Sequence, residues 1–324
     1  MEKTFRVGVT SDILDSRGEP AFGREPLKAL DVPNVEWQWL PRGLREITAE
    51  HAAAFDALYV NSPRVPAAAV ARSDLRLKLI SRHGVGYDSV DVPAMTQAGV
   101  LVANTPNAVP RPVATIALTF ILALAHRLMA KDRITRAGRW PERLDHMGTG
   151  LTGRTLGVIG AGRIGKELLR LAKVFDLKLL AADPYAETLE LNYIGARHVS
   201  LAQVMSGSDF VVITCLLNEE TRGLVGAPEL ALMKRSAFLV NVARGRWSTK
   251  ARSTMRSPPG ALRGRASTCS STNRPPRTTR SYSWTTSSSA RTRCAGPTSC
   301  SAISPVPRSR RCSRCTKASA RLSW

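Results

Sequence analysis

The last 79 residues of this 324-residue chain contain no aspartate, no glutamate and no histidine. Residues 246–324 hold 17 Lys+Arg against none of the acids, whereas residues 1–245 hold 30 Lys+Arg and 25 Asp+Glu. The formal charge of +22 is therefore mostly a property of one end. It does not describe a chain that is basic throughout, as a nucleic-acid or membrane-surface protein is. Cysteine is scarce before residue 246, where Cys215 stands alone, and this excludes a disulfide-stapled scaffold. Cys312 and Cys315 have metal-ligand spacing but no second ligand pair around them, and the last histidine is the distant His198, so a zinc site is not expected. Long apolar runs are also missing. The longest, Pro112 to Ala125, is too short to cross a bilayer and carries Thr115 and Thr119. With no charged-then-apolar leader at Met1, the first 245 residues read as a soluble, cytoplasmic, globular α/β protein.

Short β-branched and apolar runs alternate with helical stretches. Phe5–Val9, Ala57–Tyr59, Leu77–Ser81 and Val100–Ala103 make a first series of strands. Val113–Leu128 has helical length and composition. Leu156–Ile159, Leu177–Ala182, Phe210–Thr214 and Phe238–Val242 make a second series, with Lys166–Phe175 helical and Glu219–Lys234 helical in part. Such alternation predicts parallel sheets covered by helices, in two Rossmann-like or flavodoxin-like domains.

The strongest local signal is Gly160-Ala161-Gly162-Arg163-Ile164-Gly165. It follows a strand, opens a helix, and is followed at the end of the next strand by Asp183. Gly160 allows the tight turn, Gly162 lets backbone approach a pyrophosphate, and Gly165 lets the helix lie close on the sheet. The helix N-terminus offers free N–H groups and partial positive charge to phosphate. Asp183 would bind the ribose hydroxyls and repel a 2′-phosphate, which predicts NAD (NADH) in preference to NADP.

Five ordered motifs over residues 5–245 carry a family resemblance. They are Ser81-Arg82-His83-Gly84-Val85-Gly86-Tyr87-Asp88-Ser89-Val90-Asp91, Val102-Ala103-Asn104-Thr105-Pro106, Leu151-Thr152-Gly153-Arg154-Thr155-Leu156-Gly157 after Trp140, Leu216-Leu217-Asn218-Glu219-Glu220-Thr221-Arg222-Gly223-Leu224, and Asn241-Val242-Ala243-Arg244-Gly245. Together they resemble the D-isomer-specific 2-hydroxyacid dehydrogenases, the family of phosphoglycerate, glycerate and hydroxypyruvate/glyoxylate enzymes. The resemblance implies hydride transfer between nicotinamide and C2 of a small 2-hydroxy or 2-keto acid. It implies Arg244 as the catalytic arginine, and a substrate carboxylate held by the N–H groups of Val85 and Gly86 with charge added by Arg82. Arg163 and Ile164 would sit at the pyrophosphate, and Val242, Ala243 and Arg244 beside the nicotinamide. It further implies a substrate domain over 1–103, a nucleotide domain over 104–245, and a homodimer formed through Val113–Arg127 and the arm to Trp140. Thr115 stands where the family commonly has Glu, and Leu216 where it has Pro. His83 and His126 do not match the family's catalytic histidine; His126, ending an apolar helix, reads as structural.

That histidine and its glutamate partner should follow Ala243-Arg244-Gly245, where residues 246–324 offer neither. Of the 79 tail residues 29 are Ser or Thr, and only Met255, Leu262, Ile303, Val306 and Leu322 are aliphatic side chains larger than Ala and Pro. Read one base out of phase, each codon is the third base of one written codon and the first two of the next. Ser then gives Val, Leu, Ile or Phe, and Thr gives Asp, His, Tyr or Asn. Trp247-Ser248-Thr249-Lys250 can read Val-Val-Asp-Glu. Ala266 to Pro275 can read Gly-Leu-Asp-Val-Phe-Val-Asp-Glu-Pro-Pro, with the glutamate at Asn273. Arg291-Thr292-Arg293 can read Pro-His-Ala. These are three motifs of the family in its order, and they point to a base lost near Gly245/Arg246. As written, the tail is expected to be poorly folded and to deprive the nucleotide domain of its last strands. The catalytic pair would be lost with them. A non-catalytic NAD-binding protein and a nucleic-acid binder acting through the basic tail are the alternatives; nonspecific RNA binding by the tail is expected from charge alone.

Overall fold

The computed structural model describes residues 4–244 and the main chain of 264–267. Its first sheet is built from β1 (Phe5–Val9), β2 (Val35–Trp39), β3 (Ala57–Val60), β4 (Leu79–Arg82) and β5 (Leu101–Ala103). All neighbours are parallel and the order is β2-β1-β3-β4-β5, the flavodoxin-like order, with α1 (Ala49–Ala54) leading into β3 and α2 (Val92–Gln97) into β5. The second sheet holds β6 (Thr155–Ile159), β7 (Lys178–Ala182), β8 (Ala196–His198), β9 (Phe210–Ile213), β10 (Phe238–Asn241) and β11 (Gly264–Ser267). Its order, β11-β10-β9-β6-β7-β8, is also parallel throughout and is the Rossmann arrangement. The α/β architecture with two parallel sheets is the one expected from the strand–helix alternation.

Strands β6, β9 and β10 are buried on both faces, as parallel strands roofed by helices must be, and so read as continuous apolar runs. Phe210 and Phe238 are register partners on β9 and β10, and their rings stack with centroids 5.6 Å apart. On the helical layer, α5 (Arg163–Ala172) buries Gly165, Leu168, Leu169 and Ala172, one stripe at helical spacing. It packs along α3 (Pro110–Ala125), which starts with Pro110 in its first turn and buries Ala114, Ala117, Phe120, Ile121 and Ala125. Arg127 then adopts a left-handed φ of 51°, and α4 (Leu128–Arg136) leaves at 59° to α3. Among the described residues no single helix is long and apolar enough to cross a membrane.

In the first sheet a buried carboxylate joins distant stretches. Asp56 accepts from the Arg6 N–H at 2.8 Å and from Arg76 Nε at 2.8 Å, and Arg76 also donates to the Thr4 carbonyl at 2.7 Å.

The poorly folded tail expected from composition lies outside the described residues. The main chain of four of its positions is described: β11 pairs in register with β10, Phe238 opposite Gly264 and Asn241 opposite Ser267. An edge strand is held by main-chain N–H and C=O groups, which every residue except proline supplies in full, so a stretch without aliphatic side chains larger than alanine can take that place.

Candidate functional site

The C-terminal ends of parallel strands are where α/β folds place ligands, and both sheets present charged or glycine-rich turns there. In the second sheet, Gly160 turns the chain out of β6 with φ +93°. Its N–H donates to the Ala182 carbonyl at 2.9 Å, and its carbonyl accepts from the Thr214 hydroxyl at 2.5 Å. A side chain at Gly160 would overlap Cys215, and one at Gly165 would overlap the Gly160 carbonyl. At Gly162 a Cβ would meet no atom within 4 Å, so the main chain there faces open space. Gly162 immediately precedes α5, whose start has no side-chain cap. The Lys166 N–H is the first to bond back, to the Gly162 carbonyl at 2.9 Å, which leaves the N–H groups of Arg163, Ile164 and Gly165 for an anion. This uncapped ten-residue helix behind an open glycine fits a dinucleotide pyrophosphate.

Asp183 directly follows β7. One of its carboxylate oxygens accepts from the Tyr185 N–H at 2.9 Å. Its carbonyl takes the His198 Nε2–H at 2.9 Å, which makes His198 Nδ1 the acceptor from the Thr188 hydroxyl at 2.8 Å. The Tyr185 hydroxyl donates to Glu220 at 2.7 Å. Cys215 is half-buried against the turn, and burial pushes its thiol up to about 12, so it is a packing group rather than a nucleophile.

In the first sheet, Arg82 ends β4. It donates to the His83 carbonyl, while its buried Nε has no partner among the described residues. Burial and, secondly, the nearby charge of Arg244 lower its pKa. Two arginines that repel each other, one with an orphaned donor, describe a place for an anion. His83 hydrogen-bonds through Nδ1 to the Tyr59 hydroxyl and stacks on Phe22, with ring centroids 6.0 Å apart. Gly84 has φ +98° and exchanges hydrogen bonds with Thr105, whose hydroxyl and N–H both lie 3.0 Å from it. Asn104 Nδ2 donates to the Val85 carbonyl at 2.9 Å. The loop is thus pinned by the crossover residues Asn104-Thr105, and among the described residues the Val85 and Gly86 N–H groups have no partner.

Arg244 is brought to this loop from the end of β10. Asn241 shapes the turn, accepting from the Ala243 N–H at 3.0 Å and donating to the Arg244 carbonyl at 2.7 Å; Val242 and Ala243 are buried. The Arg244 guanidinium lies so close over Gly86 that a side chain at Gly86 would overlap it. Arg82, Val85, Gly86 and Arg244 therefore come together around one loop, and Gly160, Gly162, Arg163, Ile164, Gly165 and Asp183 around the β6 and β7 turns. His126 terminates α3, its N–H donating to the Leu122 carbonyl at 3.0 Å. The Cys312/Cys315 pair, Asn273 and Thr292 lie outside the described residues. Thr214, Asn241, Asp88, Asp12 and Asn61 also shape the site. Nothing local in the sequence marks Thr214 or Asp12, since their partners lie 54 and 49 residues away.

Known proteins similar to this chain share one family name. The sequence model described as "D-isomer specific 2-hydroxyacid dehydrogenase, NAD binding domain" matches residues 118–251. Over 208 residues the chain is 35% identical to a glyoxylate reductase of Thermococcus onnurineus, covering 62% of each chain. It is 34% identical to a D-3-phosphoglycerate dehydrogenase of Archaeoglobus fulgidus over 62% of this chain and 38% of that one. The chain thus matches less than two thirds of the length of these relatives. Among solved structures, a glyoxylate reductase from Paecilomyes thermophila superposes with a TM-score of 0.68 at 27% identity, over 83% of this chain and 82% of that one.

Proposed function

We propose that this chain, which is similar to the D-isomer-specific 2-hydroxyacid dehydrogenases and matches their NAD binding domain over residues 118–251, is built to transfer hydride between that nicotinamide cofactor and C2 of a small 2-hydroxy or 2-keto acid. The observation that carries the reading is the apposition of Arg244, from the nucleotide sheet, to Gly86, on the loop after β4 of the other sheet. Residues 1–103 form the substrate domain and 104–245 the nucleotide domain.

Bound NADH supplies the hydride. The free N–H groups of Arg163, Ile164 and Gly165 bind the pyrophosphate, aided by the helix dipole. Asp183 takes the ribose hydroxyls and disfavours a 2′-phosphate. Val242 and Ala243 form a dry wall at the nicotinamide. The Val85 and Gly86 N–H groups hold the substrate carboxylate, where Arg82 adds positive charge. The planar guanidinium of Arg244 fixes the carboxylate and carbonyl, and it favours the negative charge that grows on the C2 oxygen as hydride arrives.

Reduction also needs a proton at that oxygen, and a histidine with a carboxylate neighbour is the usual donor. The written residues 246–324 contain neither. We place both in the shifted reading frame, at Thr292 and Asn273. The 324-residue chain then binds NADH and a 2-keto acid but turns over slowly. Its tail binds RNA only nonspecifically. The intact protein is a homodimer through Val113–Arg127 and the arm to Trp140, and acts in the cytoplasm.

The test compares the written chain with a restored-frame chain in NADH oxidation by hydroxypyruvate and glyoxylate, alongside NADH titration of both. NADH uptake by both, with turnover more than tenfold higher after frame restoration, supports the reading. Absence of NADH uptake by either sinks the dehydrogenase reading, and equal turnover sinks the missing-pair account. The nucleotide sequence across codons 240–250 tests the lost base directly.

A further inference from the structure

An acidic side chain stands at the edge of the Arg82 region. Asp12 follows β1, Asn61 and Ser62 follow β3, and Arg82 ends β4, and these three strands are adjacent and parallel. Val60 is the register partner of Arg82, so Asn61 and Ser62 leave the sheet between Asp12 on one side and Arg82 on the other. The Asp12 carboxylate is exposed but held. One of its oxygens accepts from Asn61 Nδ2 at 2.7 Å and from the Ser62 N–H at 2.9 Å. Asn61 is itself buried, its N–H donating to the buried Thr10 hydroxyl at 3.1 Å. The field of Asp12 reaches both Arg82 and His83, where it opposes the lowering of their pKa values.

We propose that Asp12 sets the substrate class by meeting the substituent on C3 of the keto acid, accepting a hydrogen-bond-donating group such as a hydroxyl and rejecting a phosphate or second carboxylate. The inference rests on the dehydrogenase reading above and deepens it. With the carboxylate on Val85, Gly86 and Arg244, and the cofactor on the side of the second sheet, the rest of a small keto acid extends toward the strand ends of the first sheet. The Asp12 carboxylate, held by Asn61 and Ser62, supplies an acceptor at those ends. A hydroxyl finds an acceptor, whereas a phosphate dianion meets a fixed negative charge.

The test titrates the full 324-residue chain, saturated with NADH, with glyoxylate, hydroxypyruvate and 3-phosphohydroxypyruvate, following cofactor fluorescence. Binding alone is read, so the missing proton donor does not matter. Hydroxypyruvate is expected to bind at least about tenfold more tightly than its phosphate ester. Asp12→Asn should bring the two within about threefold and Asp12→Lys should invert the order, each affinity being taken relative to that of glyoxylate in the same protein so that the general change of charge beside Arg82 cancels. Equal or tighter binding of the phosphate ester by the unsubstituted chain overturns the proposal, and that measurement needs no variant to fold. An unchanged ratio in a folded Asp12→Lys protein overturns it as well. Failure to bind NADH or glyoxylate brings down the dehydrogenase reading and this inference together, whereas normal glyoxylate binding without discrimination brings down this inference alone.

Discussion

Arg244 Nε donates to the Asp88 carboxylate at 3.0 Å, a bond between residues 156 positions apart. Both side chains keep about a third of their surface exposed, 34% and 30%, so the pair adds little to stability. It aims the guanidinium across Gly86 while the second face of the fork stays available. Replacing Arg244 by Lys removes the planar fork and keeps the charge. Keto-acid affinity of the NADH complex should fall by about 10- to 100-fold, equal to about 1.4–2.8 kcal/mol, with NADH affinity within about twofold of the original. Asp88→Asn should shift Tm by only a degree or two and weaken the keto acid less than Arg244→Lys does. Fluorescence titration and thermal melts of the two variants check this.

The glycine turn separates two kinds of damage. Gly160→Ala puts a side chain at φ +93° and into Cys215, so it should cost about 1–3 kcal/mol of stability and abolish NADH uptake. Gly162→Ala meets no atom within 4 Å and has φ −70°. Its melting temperature should match the parent while NADH binds about tenfold more weakly, because the methyl occupies the space the phosphates need. Equal melting and equal binding for Gly162→Ala would remove the pyrophosphate from that position.

Cofactor choice hangs on Asp183, which spends one carboxylate oxygen on the Tyr185 N–H. Asp183→Ser should retain that turn through its hydroxyl and lose the charge. The ratio of NADPH to NADH affinity should then rise by about tenfold or more. Competition between the two nucleotides on the folded variant reads this ratio directly.

His83 gives stability a dependence on pH. Burial foremost, then the charge of Arg82, disfavours its imidazolium, with Asp12 partly opposing. The folded state therefore binds fewer protons than the unfolded chain just below the ordinary histidine value of 6.5. Stability must rise with pH through that window, and it is lost as pH falls below about 6.5. Chemical denaturation at pH 7.5 and 5.5 should show the loss, and His83→Phe, which keeps the stacking on Phe22, should shrink it. Asp56 does not contribute in this range. Its carboxyl is held below 3.8 by the hydrogen bonds from Arg76 and the Arg6 N–H, despite burial that acts the other way.

The dinucleotide turn is readable because all its information is local: three glycines, one helix start and one acid within a single βαβ unit. Arg244 and the Gly86 loop could be paired only through the order of motifs, since nothing in either segment says that the other faces it. The Asp12–Asn61–Ser62 group could not be read, because it exists only once β1 and β3 are neighbours. The first sheet's order places them so, though β2 lies between them in the chain. Strand β2 carries a two-residue alternation, Val35-Glu36-Trp37-Gln38-Trp39, a weaker signal than the continuous apolar runs of its neighbours. Strand β8, Ala196-Arg197-His198, has no such pattern and forms because β7 offers it an edge. The bend at Arg127 has neither glycine nor proline to announce it.

Every strand of the β2-β1-β3-β4-β5 sheet comes from residues 5–103, and the Asp56 carboxylate that ties Arg6 to Arg76 lies within the same stretch. On a translating ribosome all these partners emerge before the message reaches its second half. A base lost near codon 245, as proposed above, would therefore strike a polypeptide whose first five strands already have everything their pairing needs. Its harm falls on the later-made chemistry rather than on that early ladder.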